Sequence, residues 1–419
     1  MKTITYPNPR THISSEEAIR LEFDYSAHNY HPLPVVLERG LGTKVWDPEG
    51  NEYFDFLSAY SAVNQGHCHP RILNALLEQA QKITLSSRAF YNTQLGQYAR
   101  FMTSLFGYDR LLPMNTGVEA AETAVKLARR WGYEIKGIAP DKAKIIFVAG
   151  NFWGRSLGAI SSSTDPSSRK NFGPFMPGYV LIPYNDLEAL SAALKDPEVA
   201  GFMLEPIQGE AGVVVPDAGY LKEVRRLCKD HQVLFIADEI QTGIGRTGRM
   251  LACDHEDARP DILVLGKALS GGVMPVSAVL ADDEIMLTIK PGEHGSTFGG
   301  NPLGARVAIA AMEALLDEDM IGNAERMGKR FRSEMQKLVD QYPLLKLVRG
   351  KGLLNAVVIN DHPDSTTAWE LCMKMKENGL LAKPTHGNII RLAPPLVITE
   401  AQLLESINRF ESALKQFIR

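Results

Sequence analysis

Val233-Leu234-Phe235-Ile236-Ala237-Asp238-Glu239 is an apolar run that closes on two carboxylates, and Asp261-Ile262-Leu263-Val264-Leu265-Gly266-Lys267 repeats the pattern with a lysine at its end. Each run is too short for a helix and apolar at every inner position, which spells a strand covered on both faces. Similar runs stand at 144–148, 200–204 and 276–280, with helical patterns between them. That alternation predicts an α/β region with a mostly parallel central sheet. Open sheets of this kind gather ligands at the carboxyl ends of their strands, where the two acids and the lysine stand.

Outward from this centre the patterns change. Strands are expected at 35–38, 44–47 and 53–56, separated by Gly40, Gly42 and the turn Pro48-Glu49-Gly50-Asn51. Beyond the central region come a helix over 303–339, strands near 345–348 and 353–359, a helix over 366–377 and a last one over 400–418. The 419 residues therefore divide into an N-terminal segment with a strand meander (1–67), a large domain (68–320) and a smaller α+β domain (321–419). No repeat, low-complexity tract or linker interrupts them.

Composition narrows the partners. Lys+Arg 45 against Asp+Glu 49 gives a net charge of −4, without the basic excess that nucleic-acid binding requires, so small-molecule substrates are expected. The four cysteines, Cys68, Cys228, Cys253 and Cys372, are scattered without paired spacing, which suits a reducing compartment. Arg10 and Arg20 near the start are offset by Glu16 and Glu17, with no apolar leader core, so a cytoplasmic location is expected. No apolar run approaches the ~20 residues of a membrane span. His67-Cys68-His69 combines metal-ligating types, but adjacent positions do not make a tetrahedral set, and no metal is expected.

Three segments carry candidate chemistry. Asp238 at a buried strand end calls for a cationic partner, which a protonated pyridine nitrogen would supply; a cap or an ordinary salt bridge would serve equally well. Lys267, before Ala268-Leu269-Ser270-Gly271-Gly272, is placed to lose its proton by desolvation and attack a carbonyl, or to sit solvated in a loop. Met114-Asn115-Thr116-Gly117-Val118-Glu119-Ala120 opens a helix and offers free N–H groups to a phosphate, or simply caps that helix. Together the three are the attachments that pyridoxal phosphate needs. Gly150-Asn151-Phe152-Trp153-Gly154-Arg155 adds an aromatic face and a guanidinium, while Glu205-Pro206-Ile207-Gln208-Gly209-Glu210 and the loop 292–300 follow as further candidates or plain turns.

Carried by these segments, by His28-Asn29-Tyr30-His31-Pro32-Leu33-Pro34, by 60–69 and 237–242, and by Lys383-Pro384-Thr385-His386-Gly387, the chain resembles the class-III aminotransferases of the fold-type I pyridoxal-phosphate family. The resemblance implies Lys267 as the lysine bound to the cofactor, Asp238 on its ring nitrogen, Phe152 stacked on the ring with Ile240 beside it, and Gln241 at the ring 3-oxygen. Gly117 and Val118 would hold the phosphate, completed by Ser296 and Thr297 from a neighbouring subunit of a homodimer. Tyr30, Tyr60, Arg155, Glu205, Glu210 and Arg391 would handle the substrates. Those implied are L-ornithine, donating its δ-amine, and 2-oxoglutarate, giving glutamate 5-semialdehyde, which cyclises to pyrroline-5-carboxylate, and glutamate. N-Acetylornithine and 4-aminobutyrate are the alternative donors, against which Tyr30 and the Tyr60 segment argue. A cofactor-sensing DNA regulator would need an added basic module that the sequence does not carry.

Overall fold

The computed structural model describes residues 13–418 and builds them around three sheets. The first twelve residues of the expected N-terminal segment, Arg10 among them, lie outside the described residues. Strands β1 (Arg39–Leu41), β2 (Lys44–Trp46) and β3 (Glu52–Asp55) form an antiparallel meander. The central sheet contains β4 (Arg110–Met114), β5 (Lys144–Val148), β6 (Tyr179–Ile182), β7 (Val199–Leu204), β8 (Leu234–Asp238), β9 (Ile262–Leu265) and β10 (Ser277–Ala281), in the order β4-β10-β9-β8-β7-β5-β6. Only β10 runs against its neighbours there. A third sheet follows from β11 (Leu345–Lys351), β12 (Leu354–Ile359), β14 (Lys383–Pro384) and β15 (Ile389–Leu392), while β13 (Leu380–Leu381) leaves it to pair in parallel with β3.

The central strands are apolar throughout because both of their faces are covered. Ile145, Phe147, Met203, Ile236 and Val264 pack with Ala124, Leu127 and Ala128 of the helix Gly117–Glu134. Their alternates Ile146, Val148, Phe202, Leu204 and Phe235 pack with Val224 and Leu227 of the helix Tyr220–Asp230. Each such side chain contributes roughly 1.5–3 kcal/mol by leaving water. The two-residue period also fixes the site: Asp238 shares its face with Leu234 and Ile236, the face turned toward Gly117–Glu134. No helix among the described residues is long and apolar enough to cross a membrane.

Sequence and structure differ at identifiable places. Two strands of the central sheet were not anticipated, β4 and β6, and they are its edges; β13, β14 and β15, of two to four residues each, were not anticipated either. Both edge strands are partly exposed, and β4 contains Pro113, which an edge tolerates because a donor is dispensable there. The stretch 35–38, which follows Pro34, is not a strand; pairing starts at Arg39, and Val35 contributes only a side chain packed on Val45, Tyr53 and Leu381. The helix expected over 303–339 is two helices, Pro302–Asp317 and Met320–Gln341, broken where Asp319 takes φ +47°. Such a left-handed residue cannot continue a right-handed helix.

Candidate active site

The floor of the site is made of strand ends. Asp238 closes β8, is 4% exposed, and accepts the Ile240 N–H at 3.0 Å; no ion pair engages it among the described residues. Burial pushes its carboxyl up to about 6. Lys267 follows β9 through Gly266 at φ +44°, a left-handed backbone that an L-residue adopts at a cost of roughly 1 kcal/mol. Burial lowers its ammonium below the ordinary value, against the opposing pull of Asp238, Glu210 and Glu205. Its amine has no hydrogen-bond partner among the described residues, so the nitrogen is uncommitted.

The helix Gly117–Glu134 begins beside these groups. Thr116 caps it in a reciprocal box with Glu119, and Thr116 takes the N–H groups of Glu119 and Ala120. Those of Gly117 and Val118 remain unpartnered at the positive end of an 18-residue helix. A Cβ on Gly117 would stand 3.0 Å from Ile240 Cδ1, so the bare backbone keeps this corner open.

Glu205, at the end of β7, accepts the Phe152 N–H at 2.9 Å and the Gly209 N–H at 3.3 Å. Both of its oxygens are thus engaged by the chain itself, and burial beside Asp238 pushes this carboxyl up to about 8. Gly209 admits no side chain, because a Cβ would fall 1.6 Å from Gln241 Oε1. That oxygen is buried without a hydrogen bond, while Gln241 Nε2 donates to Glu210 at 3.3 Å. Glu210 meets Arg391 at 2.6 Å, with the guanidinium only 3% exposed. Burial works to raise the Glu210 carboxyl, but Arg391 outweighs it and holds it below the usual range.

Tyr60 lies over this pair, its ring centroid 4.9 Å from the Arg391 guanidinium carbon. It belongs to a left-handed turn, Ser58 to Ser61, with φ of 49°, 46°, 59° and 70°. Asp55 Oδ1 holds the turn by its Leu57 and Ser58 N–H groups, and Ser58 Oγ donates to the Ala393 carbonyl at 2.7 Å. Phe152 has the exposed Arg155 guanidinium 5.5 Å from its ring, and Arg155 donates to Ser168 Oγ at 2.9 Å. Tyr30 is 72% exposed, with Lys383 Nζ 5.9 Å from its ring. Ser296 is tied to its own chain through Asn115 Nδ2 at 2.9 Å and the Gly299 N–H at 2.8 Å, whereas Thr297 faces solvent.

Residues 25–414 match the family model for aminotransferase class-III. The chain belongs to the class-III aminotransferases. Mitochondrial ornithine aminotransferase of Rattus norvegicus is 64% identical over 96% of this chain and 91% of its own length. An acetylornithine aminotransferase from Elizabethkingia anophelis is 58% identical with a TM-score of 0.89, covering 96% of this chain and all of its own. An ornithine aminotransferase from Toxoplasma gondii, crystallised with pyridoxal phosphate at partial occupancy, is 50% identical with a TM-score of 0.94, covering 97% and 96%. The cytoplasmic expectation is corrected by these relatives: the rat protein, like those of Drosophila ananassae and rice, is named mitochondrial. Unpaired cysteines mark a reducing compartment and do not separate one such compartment from another.

Pyridoxal phosphate is the cofactor of this aminotransferase, and the residues present fit it. A buried carboxylate without an ion-pair partner among the described residues, two unpartnered N–H groups at a helix start, an amine whose basicity burial lowers and the orphaned Gln241 Oε1 are the complement of a pyridinium, a phosphate, an aldehyde and a ring substituent. Sequence reasoning missed Thr385, whose hydroxyl donates to the Glu210 carbonyl at 2.5 Å, and Arg349, which donates twice to the Gly212 carbonyl. It also missed Arg246, fully buried and held by Asn64, Leu353 and Pro394, and His294, which joins Thr123 and Lys126. For Thr385 the stretch 383–387 marked the segment but not the bond; for Arg349 and Arg246 there was no signal.

Proposed function

We propose that this enzyme moves the δ-amino group of L-ornithine to 2-oxoglutarate, and that the Glu210–Arg391 pair decides which amine reacts. The observation that carries the reading is the 2.6 Å ion pair lying under Tyr60 at the edge of the Asp238–Lys267 floor. Ornithine needs no free guanidinium there, since its carboxylate lies far from the reacting end. 2-Oxoglutarate does need one, and releasing Glu210 provides it.

Pyridoxal phosphate supplies, when bound, the carbonyl that receives the amino group and the ring that takes up the electron pair. Gly117 and Val118 would hold its phosphate through their N–H groups. Asp238 holds a proton at the ring nitrogen, and its buried setting makes that charge pair stronger than it would be in water. Phe152 would stack on the ring, Ile240 lines the wall by Gly117, and Gln241 would address the ring oxygen. Lys267, its basicity lowered by burial, would take the proton from the substrate δ-carbon. Tyr30 and Arg155 hold the distal α-amino and α-carboxylate groups of ornithine, and in the second half-reaction Arg155 takes the distal carboxylate of 2-oxoglutarate. Glu205 keeps Phe152 and the Glu210 loop in register while bordering the substrate.

The proposal includes a homodimer in which Thr297, beside Ser296, reaches the phosphate of the neighbouring subunit, and a division of the chain at 67 and 320. The name of the Elizabethkingia relative favours a second reading, with N-acetylornithine as donor; 4-aminobutyrate is the remaining alternative. A donor panel decides among them. With 2-oxoglutarate, L-ornithine is expected to be used at least tenfold better by kcat/KM than either rival, with a pyrroline product trapped by o-aminobenzaldehyde. Preference for N-acetylornithine would overturn the reading. Lys267→Ala is expected to lose turnover and the borohydride-reducible attachment of the cofactor.

A further inference from the structure

The loop that carries Glu210 is gripped by the third sheet at three points, and only one of them is the Glu210 carboxylate. The register of that sheet sets Arg349 on β11 opposite Ala356 on β12, Ala356 opposite Arg391 on β15, and Arg391 opposite Lys383 on β14. Directly opposed residues project from the same face. Both arginines therefore rise from one row, separated by an alanine small enough for the loop to settle between them. Ile207 and Val213 pack there on Ala356 and Leu354.

Arg349 Nε and its second guanidinium nitrogen donate to the Gly212 carbonyl at 3.0 and 2.7 Å. Gly212 sits at φ +104°, and a Cβ there would meet Ile389 at 2.6 Å, so the loop is seated close on the sheet. Thr385, between β14 and β15, donates its hydroxyl to the Glu210 main-chain carbonyl, and its own N–H bonds to Ile389. The hairpin that holds Glu210's side chain through Arg391 thus holds its backbone through Thr385.

We infer that Thr385 and Arg349 are positioning residues that latch the Glu210 loop and thereby set donor selectivity. The inference rests on the gate reading above and deepens it. Glu210 masks Arg391 only while its backbone is anchored; without the latch the loop relaxes, the ion pair loosens, and a donor with a carboxylate next to its amine gains access to the guanidinium. The chemistry at Lys267 is untouched, so the effect falls on binding of α-carboxylates.

The test measures single-turnover reaction of the holoenzyme with L-ornithine and with L-glutamate by cofactor absorbance. Thr385→Val is expected to raise the glutamate-to-ornithine ratio of kcat/KM roughly three- to tenfold, the range one lost hydrogen bond commands, through a lower KM for glutamate. Thr385→Ser should restore the original ratio. Arg349→Met provides a second arm with the same expected direction should the valine variant fold poorly. Glu210→Ala separates the two failures. A changed ratio in Glu210→Ala with none in Thr385→Val and Arg349→Met overturns the latch alone, and an unchanged ratio in Glu210→Ala overturns the gate and the latch with it.

Discussion

Asp238 and Lys267 stand at the ends of neighbouring strands with opposite charge, yet burial works against the ionised form of each. Their signs have separate consequences. Asp238 rises from 3.8 to about 6, so the folded chain holds this proton more tightly than the unfolded one. Its burial penalty is absent below the unfolded value, grows between 3.8 and about 6, and is fully present above. For the cofactor-free protein, Asp238→Asn is therefore expected to raise the melting temperature more at pH 8 than at pH 4. The difference corresponds to on the order of 3 kcal/mol. Thermal unfolding at the two pH values checks this, and an equal shift at both would remove the burial argument. Activity should fall sharply in the same variant, since an amide does not keep the ring nitrogen protonated. Both residues were legible in the sequence because strand-end position is a local property. Thr385 was not: its partner carbonyl lies 175 residues away, and nothing in Lys383-Pro384-Thr385-His386-Gly387 specifies that bond.

Among elements, the helix Gly117–Glu134 does the most with the least. Its start offers the proposed phosphate donors, and Thr116 and Glu119 fix that start by satisfying each other's backbone. Thr116→Ala is expected to cost about 1 kcal/mol of stability and to weaken cofactor retention several-fold. Rate of cofactor loss on dialysis reports it, and unchanged retention would mean that the cap does not position the Gly117 and Val118 donors. The inner strands were readable because burial on both faces makes them apolar without interruption. Edge strands β4 and β6 escaped because one side of each faces other surroundings and their composition is mixed. The left-handed turn from Ser58 to Ser61 escaped for a different reason. No glycine marks it, and its conformation is imposed by Asp55 and Ala393.

At the scale of the molecule, the site draws on all three sheets, and the loop that carries Thr297 presents exposed aromatics. Thr297 is exposed, Phe298 beside it is 57% exposed, and Phe90 and Tyr91 reach 72% and 99%. Large aromatics so placed mark a contact surface. On the proposed homodimer, Phe298→Asp is expected to shift the protein from dimer to monomer by analytical ultracentrifugation and to reduce activity at least tenfold. A monomer with full activity would sink the shared site.

One consequence belongs to the order in which the chain is made. Ser58 and Ala393, whose hydrogen bond pins the Tyr60 turn, are 335 positions apart, and β3 finds its parallel partner only in β13. On a ribosome adding 5–20 residues per second, roughly twenty seconds to a minute separate the emergence of the two halves of this contact. A segment made before most of the chain is therefore among the last to be fixed. Until the C-terminal third emerges, Phe54 lacks Arg409 and Phe56 lacks Phe331, and the nascent protein depends on staying unaggregated through that interval.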